Sequence, residues 1–264
     1  ASLMANPSML GGTELKSRRW RLLIFVVPVI WGLLAWTTDA SRESQDFFAP
    51  PANPSSLIEE ATAGTYQINC FGNWAGSGWG VKISEDYYLV TAFHVIEDCL
   101  DDRKIHARND STEMFELELV AYDGRFWSSY FDLRDLALLK AAQPISVLKT
   151  ATDAPELGHW VAAIGYPYDS NYIARLSYTQ GAISSYDRQG ILVTDAAING
   201  GNSGGPLINS RGEVVGTMFA SEPTEDFENM GMAQGLLLHC GLAFQCSGGI
   251  PNMTLPTDRL KISE

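Results

Sequence analysis

The chain of 264 residues carries a net charge of −13, with 19% charged and 45% hydrophobic residues and 24 glycines. This is the composition of a globular protein, long enough for one large core or two smaller ones. No Lys/Arg-rich run follows the N-terminal cations, which excludes nucleic acid as an expected partner, and the acidity reads as solubility.

Residues 1–21 form a basic head in which Lys16, Arg18, Arg19 and Arg21 precede the uncharged run 22–36, extended by Thr37 and Thr38. That run is short for a membrane span of ~20 residues and long for a signal-peptide core. Trp20, Trp31 and Trp36 suit a membrane interface. The stretch 22–38 is therefore expected to be one apolar helix, a signal anchor or else a cleaved signal peptide. Both readings export everything after residue 40, and the first attaches the protein to a membrane through its N-terminal segment. Residues 39–60 are polar and proline-rich and read as a tether.

Beyond the tether the helical period gives way to short β-branched and aromatic segments between Gly or Asp/Asn turns. They are Thr65–Cys70, Gly78–Ile83, Tyr87–Thr91, Phe115–Tyr122, Leu136–Lys140, Trp160–Gly165, Ser177–Ser184, Ile191–Thr194, Pro206–Ile208, Val214–Ala220 and Gly231–Leu236. At spacings of about ten residues, such a series predicts an all-β sandwich or barrel. One short helix is expected at His94–Leu100, and Pro144 to Pro155 reads as a connection between two halves. His106 lies in a charged stretch (DDRKIHARND) that reads as a solvated loop, and His159, at a strand entry, reads as structural.

The four cysteines fit an oxidising compartment, and among three pairings Cys70 with Cys99 and Cys240 with Cys246 is preferred. Loops of these lengths contribute roughly 2–4 kcal/mol each in the chain-entropy model. A zinc site of His239, Cys240 and Cys246 is the alternative, but its spacing matches no common ligand pattern. No metal and no cofactor are expected.

The chemistry concentrates in Gly200-Gly201-Asn202-Ser203-Gly204-Gly205-Pro206. A serine hydroxyl is a weak nucleophile unless a base activates it and donors await the oxyanion it creates. Flanking glycines give the turn its freedom in φ and let a carbonyl approach the backbone N–H groups. The same residues also make ordinary turns, so the base decides. His94, at the end of the apolar strand before the short helix, has a fixed backbone and a side chain at a rim. Asp135, directly before the apolar run Leu136–Lys140, is the candidate acid.

These segments resemble the chymotrypsin-like serine peptidases, and within them the HtrA/Deg branch. Gly76–Gly80 followed by Tyr87–Val95 is similar to that branch's histidine motif, and Asp135–Lys140 to its aspartate segment. Thr194–Leu207 is similar to its nucleophile segment almost throughout. The resemblance covers about residues 62–240 and keeps the order His, Asp, Ser. It implies two six-stranded antiparallel Greek-key β-barrels within a peptidase domain at 61–264, barrel one at about 61–145 and barrel two at about 155–245. It implies Ser203 as nucleophile, His94 as general base and acid, Asp135 as the orienting carboxylate, and the N–H groups of Gly201 and Ser203 as the oxyanion hole. The implied function is an exported serine endopeptidase acting on proteins or peptides, with a processing or quality-control role; the alternative is an inactive binding module on the same fold.

Three features bear on specificity and regulation. Ala197, six residues before the nucleophile, leaves no charge at the pocket base, so small or medium apolar side chains are expected there, with Thr217 and Met218 as walls. Asn202 stands where zymogen-activated members carry aspartate. No PDZ domain fits within the chain, which leaves the oligomeric state open. A nucleophile elbow (G-x-S-x-G) with Ser203, Asp226 and His239 in α/β-hydrolase order is a rival, opposed by Pro206 and the apolar strand after it, where a helix should begin.

Overall fold

A computed structural model of the chain describes residues 47–70, 73–100, 104–125, 134–168, 173–219, 230–248, 250–256 and 261–262. The basic head, the expected apolar helix at 22–38 and the first part of the tether lie outside these residues. Among the described residues no helix is long and apolar enough to cross a membrane.

Residues Asp46–Glu264 form one compact unit. It opens with helix α1 (Pro54–Ala63), whose proline sits in the first turn where no intrahelical N–H is required. Gly64 ends the helix by donating its N–H to Glu60 O. Leu57, Ile58 and Ala61 share one face, with Ala61 buried and Leu57 packed on the core. Just before it, Trp160 N–H donates to Phe47 O at 2.7 Å, while His159 stacks on Phe47 at 4.9 Å and meets Phe48 edge-on at 4.6 Å. The tether expected over 39–60 is thus corrected from residue 47 onward. Its few apolar side chains fall on one side of a short helix and dock, a pattern that the surrounding Pro and Ser residues obscure.

The first barrel is built from β1 (Thr65–Cys70), β2 (Asn73–Ile83), β3 (Asp86–Thr91), β4 (Ile105–Asn109), β5 (Thr112–Asp123) and β6 (Leu136–Ala141). Its antiparallel order β5-β4-β1-β2-β3-β6 closes because β5 pairs with β4 through its first half and with β6 through its second. Helix α2 (Phe93–Ile96) and a 3-10 turn (Glu97–Cys99) follow β3 and fill the segment read as one helix. The second barrel closes in the order β10-β11-β12-β9-β8-β7. Its strands are β7 (Trp160–Gly165), β8 (Ser177–Tyr186), β9 (Ile191–Thr194), β10 (Pro206–Asn209), β11 (Val214–Phe219) and β12 (Gly231–Gly235). Helix α3 (Leu236–His239), the hairpin β13 (Cys246–Ser247) with β14 (Ile250–Pro251), and β15 (Lys261–Ile262), parallel to β5, complete the chain. The all-β reading with two six-stranded antiparallel barrels therefore holds.

Strand β4 is a correction, because its stretch reads as a solvated loop. Ile105, Ala107 and Asn109 are buried in alternation with part-exposed His106 and exposed Arg108, and His106 lies opposite Asn69 and Glu116 in register. Charge on the outer face masks a period-2 strand.

Several strands are buried on both faces, for one geometric reason. In β6, Ala137, Leu139 and Ala141 fill the interior of barrel one, while Leu136 and Leu138 join a cluster between the barrels. That cluster also takes Trp79, Val81 and Val90 from barrel one and Trp160, Ile164, Ile208, Val214 and Phe219 from barrel two. Fully burying each such side chain is worth roughly 1.5–3 kcal/mol, so the seam is a core in its own right. Two disulfides form as paired in the sequence reading. Cys70–Cys99 ties β1 to the turn after α2, and Cys240–Cys246 closes a short loop after α3.

Candidate active site

Asp135 stands one residue before β6, and none of it is exposed to solvent. Its Oδ1 accepts the backbone N–H of His94 at 2.9 Å, and its Oδ2 lies 2.6 Å from His94 Nδ1. A carboxylate only accepts, so Nδ1 carries the proton and Nε2 keeps its lone pair. His94 occupies the first turn of α2, with 27% of its side chain exposed. Burial pulls its pKa down, but the hydrogen bond and charge of Asp135, helped by the charge of Glu97, outweigh that and leave it raised. The result is an oriented imidazole with part of its side chain exposed.

The serine turn comes from the other barrel. Gly201 and Gly204 adopt φ of +93° and +84°, the left-handed region that glycine enters without penalty. At Gly204 a Cβ would also run into Ser77 O and Thr91 Oγ1. Gly204 N–H donates to Met218 O at 2.7 Å and Met218 N–H to Gly205 O at 2.8 Å, so β11 supports the turn from behind. From barrel one, Ser77 N–H donates to Ser203 O at 2.8 Å, and the Ser77 hydroxyl donates to Gly201 O at 2.7 Å. That hydroxyl also accepts Tyr166 N–H at 2.8 Å, while Thr91 Oγ1 donates to Ser77 O at 2.6 Å. A Cβ on Gly76 would lie 2.8 Å from Ser203 O and 2.6 Å from Val95 Cγ2, next to His94 in sequence. The serine turn and the histidine helix therefore meet across a bare backbone.

The structure thus brings His94, Asp135 and the Ser203 turn to the seam between the barrels. Ser77, Thr91 and Gln234 are missed by the sequence reading. Gln234 binds the backbone of Asp135 with both ends of its amide, at 2.8 and 2.7 Å. Only the glycines framing Ser77 hint at a close approach; nothing local marks Gln234.

The expected pocket walls need correction. Thr217 and Met218 are both 0% exposed, so neither side chain lines an open pocket. Met218 packs in the interior of barrel two. Thr217 Oγ1 accepts from Trp79 Nε1 at 2.9 Å and faces His239 Nε2 at 2.7 Å. Both faces of β11 are buried, so alternation along it does not reveal which residues face solvent. Ala197 is exposed, and its carbonyl accepts the Thr179 hydroxyl at 2.7 Å.

His239 answers two rival readings. It is fully buried, with Nδ1 donating to Gly235 O at 3.0 Å and Nε2 accepting from Thr217, and burial lowers its pKa to about 4. Cys240 and Cys246 are bonded to each other, so the zinc alternative loses its thiolates. The α/β-hydrolase alternative fails because Pro206 opens strand β10 of an antiparallel barrel and His239 is sealed from solvent; Asp226 lies outside the described residues.

Comparison with known proteins identifies the family. A family model described as "Trypsin-like peptidase domain" matches residues 76–216, a span that includes the candidate residues His94, Asp135 and Ser203. The chain belongs to this family. The chain is similar to a "Probable periplasmic serine endoprotease DegP-like" of Halomonas elongata, 38% identical over 148 residues, covering 53% of this chain and 28% of that protein. "Serine endoprotease DegS" of Haemophilus influenzae is 39% identical over 150 residues, covering 53% of this chain and 40% of that one. The crystal structure of the serine endoprotease from Yersinia pestis matches with a TM-score of 0.56 at 32% identity, covering 71% of this chain and 64% of that one. The HtrA/Deg resemblance is borne out, and the chain spans 28% to 40% of the length of these two curated relatives.

Proposed function

We propose that the chain is a serine endopeptidase that cleaves through an acyl-enzyme, with Ser203, His94 and Asp135 as its triad. The observation that carries this is the buried Asp135 carboxylate 2.6 Å from Nδ1 of a part-exposed His94, beside the glycine-framed serine turn. Held in this tautomer, His94 Nε2 takes the Ser203 proton as Oγ attacks the scissile carbonyl, and Asp135 stabilises the imidazolium that forms. The N–H groups of Gly201 and Ser203 receive the oxyanion; each such donor is typically worth about 3–4 kcal/mol in the transition state. Collapse of the tetrahedral intermediate breaks the C–N bond, and His94 returns the proton to the leaving amine. Water then repeats the sequence on the acyl-enzyme.

The substrate class, proteins or peptides, follows from the relatives' names, as does export to a periplasm-like compartment, which the two disulfides also favour. Membrane attachment through 22–38 and a role in processing or quality control belong to the same proposal. The uncharged Ala197 favours small or medium apolar P1 residues; faster cleavage after Arg than after Val, Ala or Leu would sink that preference. The central test is fluorophosphonate labelling of wild type and Ser203→Ala, repeated with an added activating peptide. Ser203-dependent labelling is expected. A folded wild type that labels no more than Ser203→Ala under both conditions would make the protein a binding module instead.

A further inference from the structure

Gln234 sits within β12, fully buried, with its residue opposite Thr217 of β11 on one side and Ile191 of β9 on the other. The root of its side chain is therefore fixed by a closed barrel. Its Oε1 accepts the Asp135 N–H at 2.8 Å, and its Nε2 donates to the Asp135 carbonyl at 2.7 Å. A primary amide offers an acceptor and a donor side by side, so one residue satisfies both backbone groups of Asp135 as a neighbouring strand would. Asp135 precedes the β6 ladder, and its carboxylate is committed to His94 at 2.9 and 2.6 Å. A chain of hydrogen bonds thus runs from a strand of barrel two through Gln234 and Asp135 to His94 in barrel one.

We propose that Gln234 is a positioning residue: by holding the Asp135 backbone, it fixes where the carboxylate meets His94 Nδ1 and hence which nitrogen is left as the base. The proposal rests on the triad reading. It differs from a purely structural role in what it affects. An amide that merely satisfies two buried groups would, on removal, lower the melting temperature and leave the kinetic constants alone. An amide that positions the carboxylate would change turnover and the titration of His94.

Gln234→Met keeps length and removes both hydrogen bonds. We expect its kcat to fall roughly tenfold to a hundredfold, the cost of a small misplacement in a catalytic array, with KM within about twofold. The acidic limb of kcat/KM should move to lower pH, because Asp135 supplies most of what raises His94, with Glu97 adding the rest. Gln234→Leu also removes both hydrogen bonds with a differently shaped apolar side chain, so its kcat should fall similarly, and it serves if the Met variant does not fold. In the wild type, the Gln234 side-chain amide hydrogens should exchange slowly with solvent. A folded variant with wild-type kcat and an unmoved acidic limb would overturn the proposal, as would fast exchange of that amide. If wild type shows no Ser203-dependent labelling, the triad reading has failed and this proposal falls with it.

Discussion

Two polar arrays cross the seam between the barrels, each centred on a histidine, and they differ in charge and in exposure. Beside the serine turn, His94 faces a carboxylate, keeps part of its side chain exposed and has its pKa raised. Deeper in, His239 faces only neutral partners: Thr217 Oγ1, the Gly235 carbonyl and, through Thr217, the indole of Trp79. With no solvent and no counter-charge its pKa is lowered to about 4. Both rings donate from Nδ1 and keep Nε2 as an acceptor. In His239 that lone pair is already used by a hydroxyl within the core. Under the proposed function the first array exchanges a proton with a substrate, whereas the second links one barrel to the other through Trp79, Thr217 and His239.

The largest effect should come from removing the charge that distinguishes them. Asp135→Asn keeps the size of the side chain, but its amide either presents a donor to Nδ1 or accepts without charge. Turnover is expected to fall by about 10⁴-fold, the usual consequence of a mis-set tautomer in such a triad. The acidic limb of the pH–rate profile, above the ordinary histidine value in wild type because His94 is raised, should drop. Steady-state kinetics on a peptide cleaved by wild type, run from pH 5 to 9, checks both. A loss of less than about tenfold would remove Asp135 from the triad.

The sealed histidine should instead appear in stability against pH. His239 has a lowered pKa in the folded protein, so between about 6.5 and about 4 the unfolded chain binds a proton that the folded chain does not. Stability from this group is present above 6.5 and is lost as pH falls towards 4, by roughly 3 kcal/mol in total. His94 works in the opposite sense: raised, it adds stability below its ordinary value that is lost as pH climbs through the folded one. Urea unfolding at pH 7 and pH 4 should therefore show a larger acid loss in wild type than in His239→Phe. Equal losses would mean that His239 is not held neutral by the fold.

How much of this was legible in the sequence depends on where each residue's partner lies. Ser203 is framed by its own neighbours, and His94 and Asp135 sit at strand ends that their own segments mark, so all three were readable locally. Gln234 answers to Asp135, 99 residues away, and Ser77 to Gly201, 124 residues away. No local pattern records such pairs. The strands of both barrels were found because apolar runs are dense where both faces are buried. That same density hid which face Thr217 and Met218 occupy, and it made His239 look available as a ligand or base. Strand β4 and helix α1 were missed for the reverse reason: each buries only a narrow face, and polar residues dominate the rest.

The smallest expected effect gives the finest test of the contrast. Thr217→Val exchanges a hydroxyl for a methyl of nearly equal size in the sealed array. It strands Trp79 Nε1, which now donates to Oγ1 at 2.9 Å, and His239 Nε2, which now accepts from it at 2.7 Å. Two buried polar groups without partners should cost about 2 kcal/mol, because their hydration is not recovered inside the seam. For a domain of this size that lowers the melting temperature by roughly 4–8 °C. Because no hydrogen bond of the His94–Asp135 pair passes through Thr217, turnover of the folded variant should stay within about threefold of wild type. Calorimetry and steady-state kinetics on the same sample separate the outcomes. A drop in kcat without a drop in melting temperature would mean that the deep array participates in setting the cleft, and that the seam is one catalytic network rather than two.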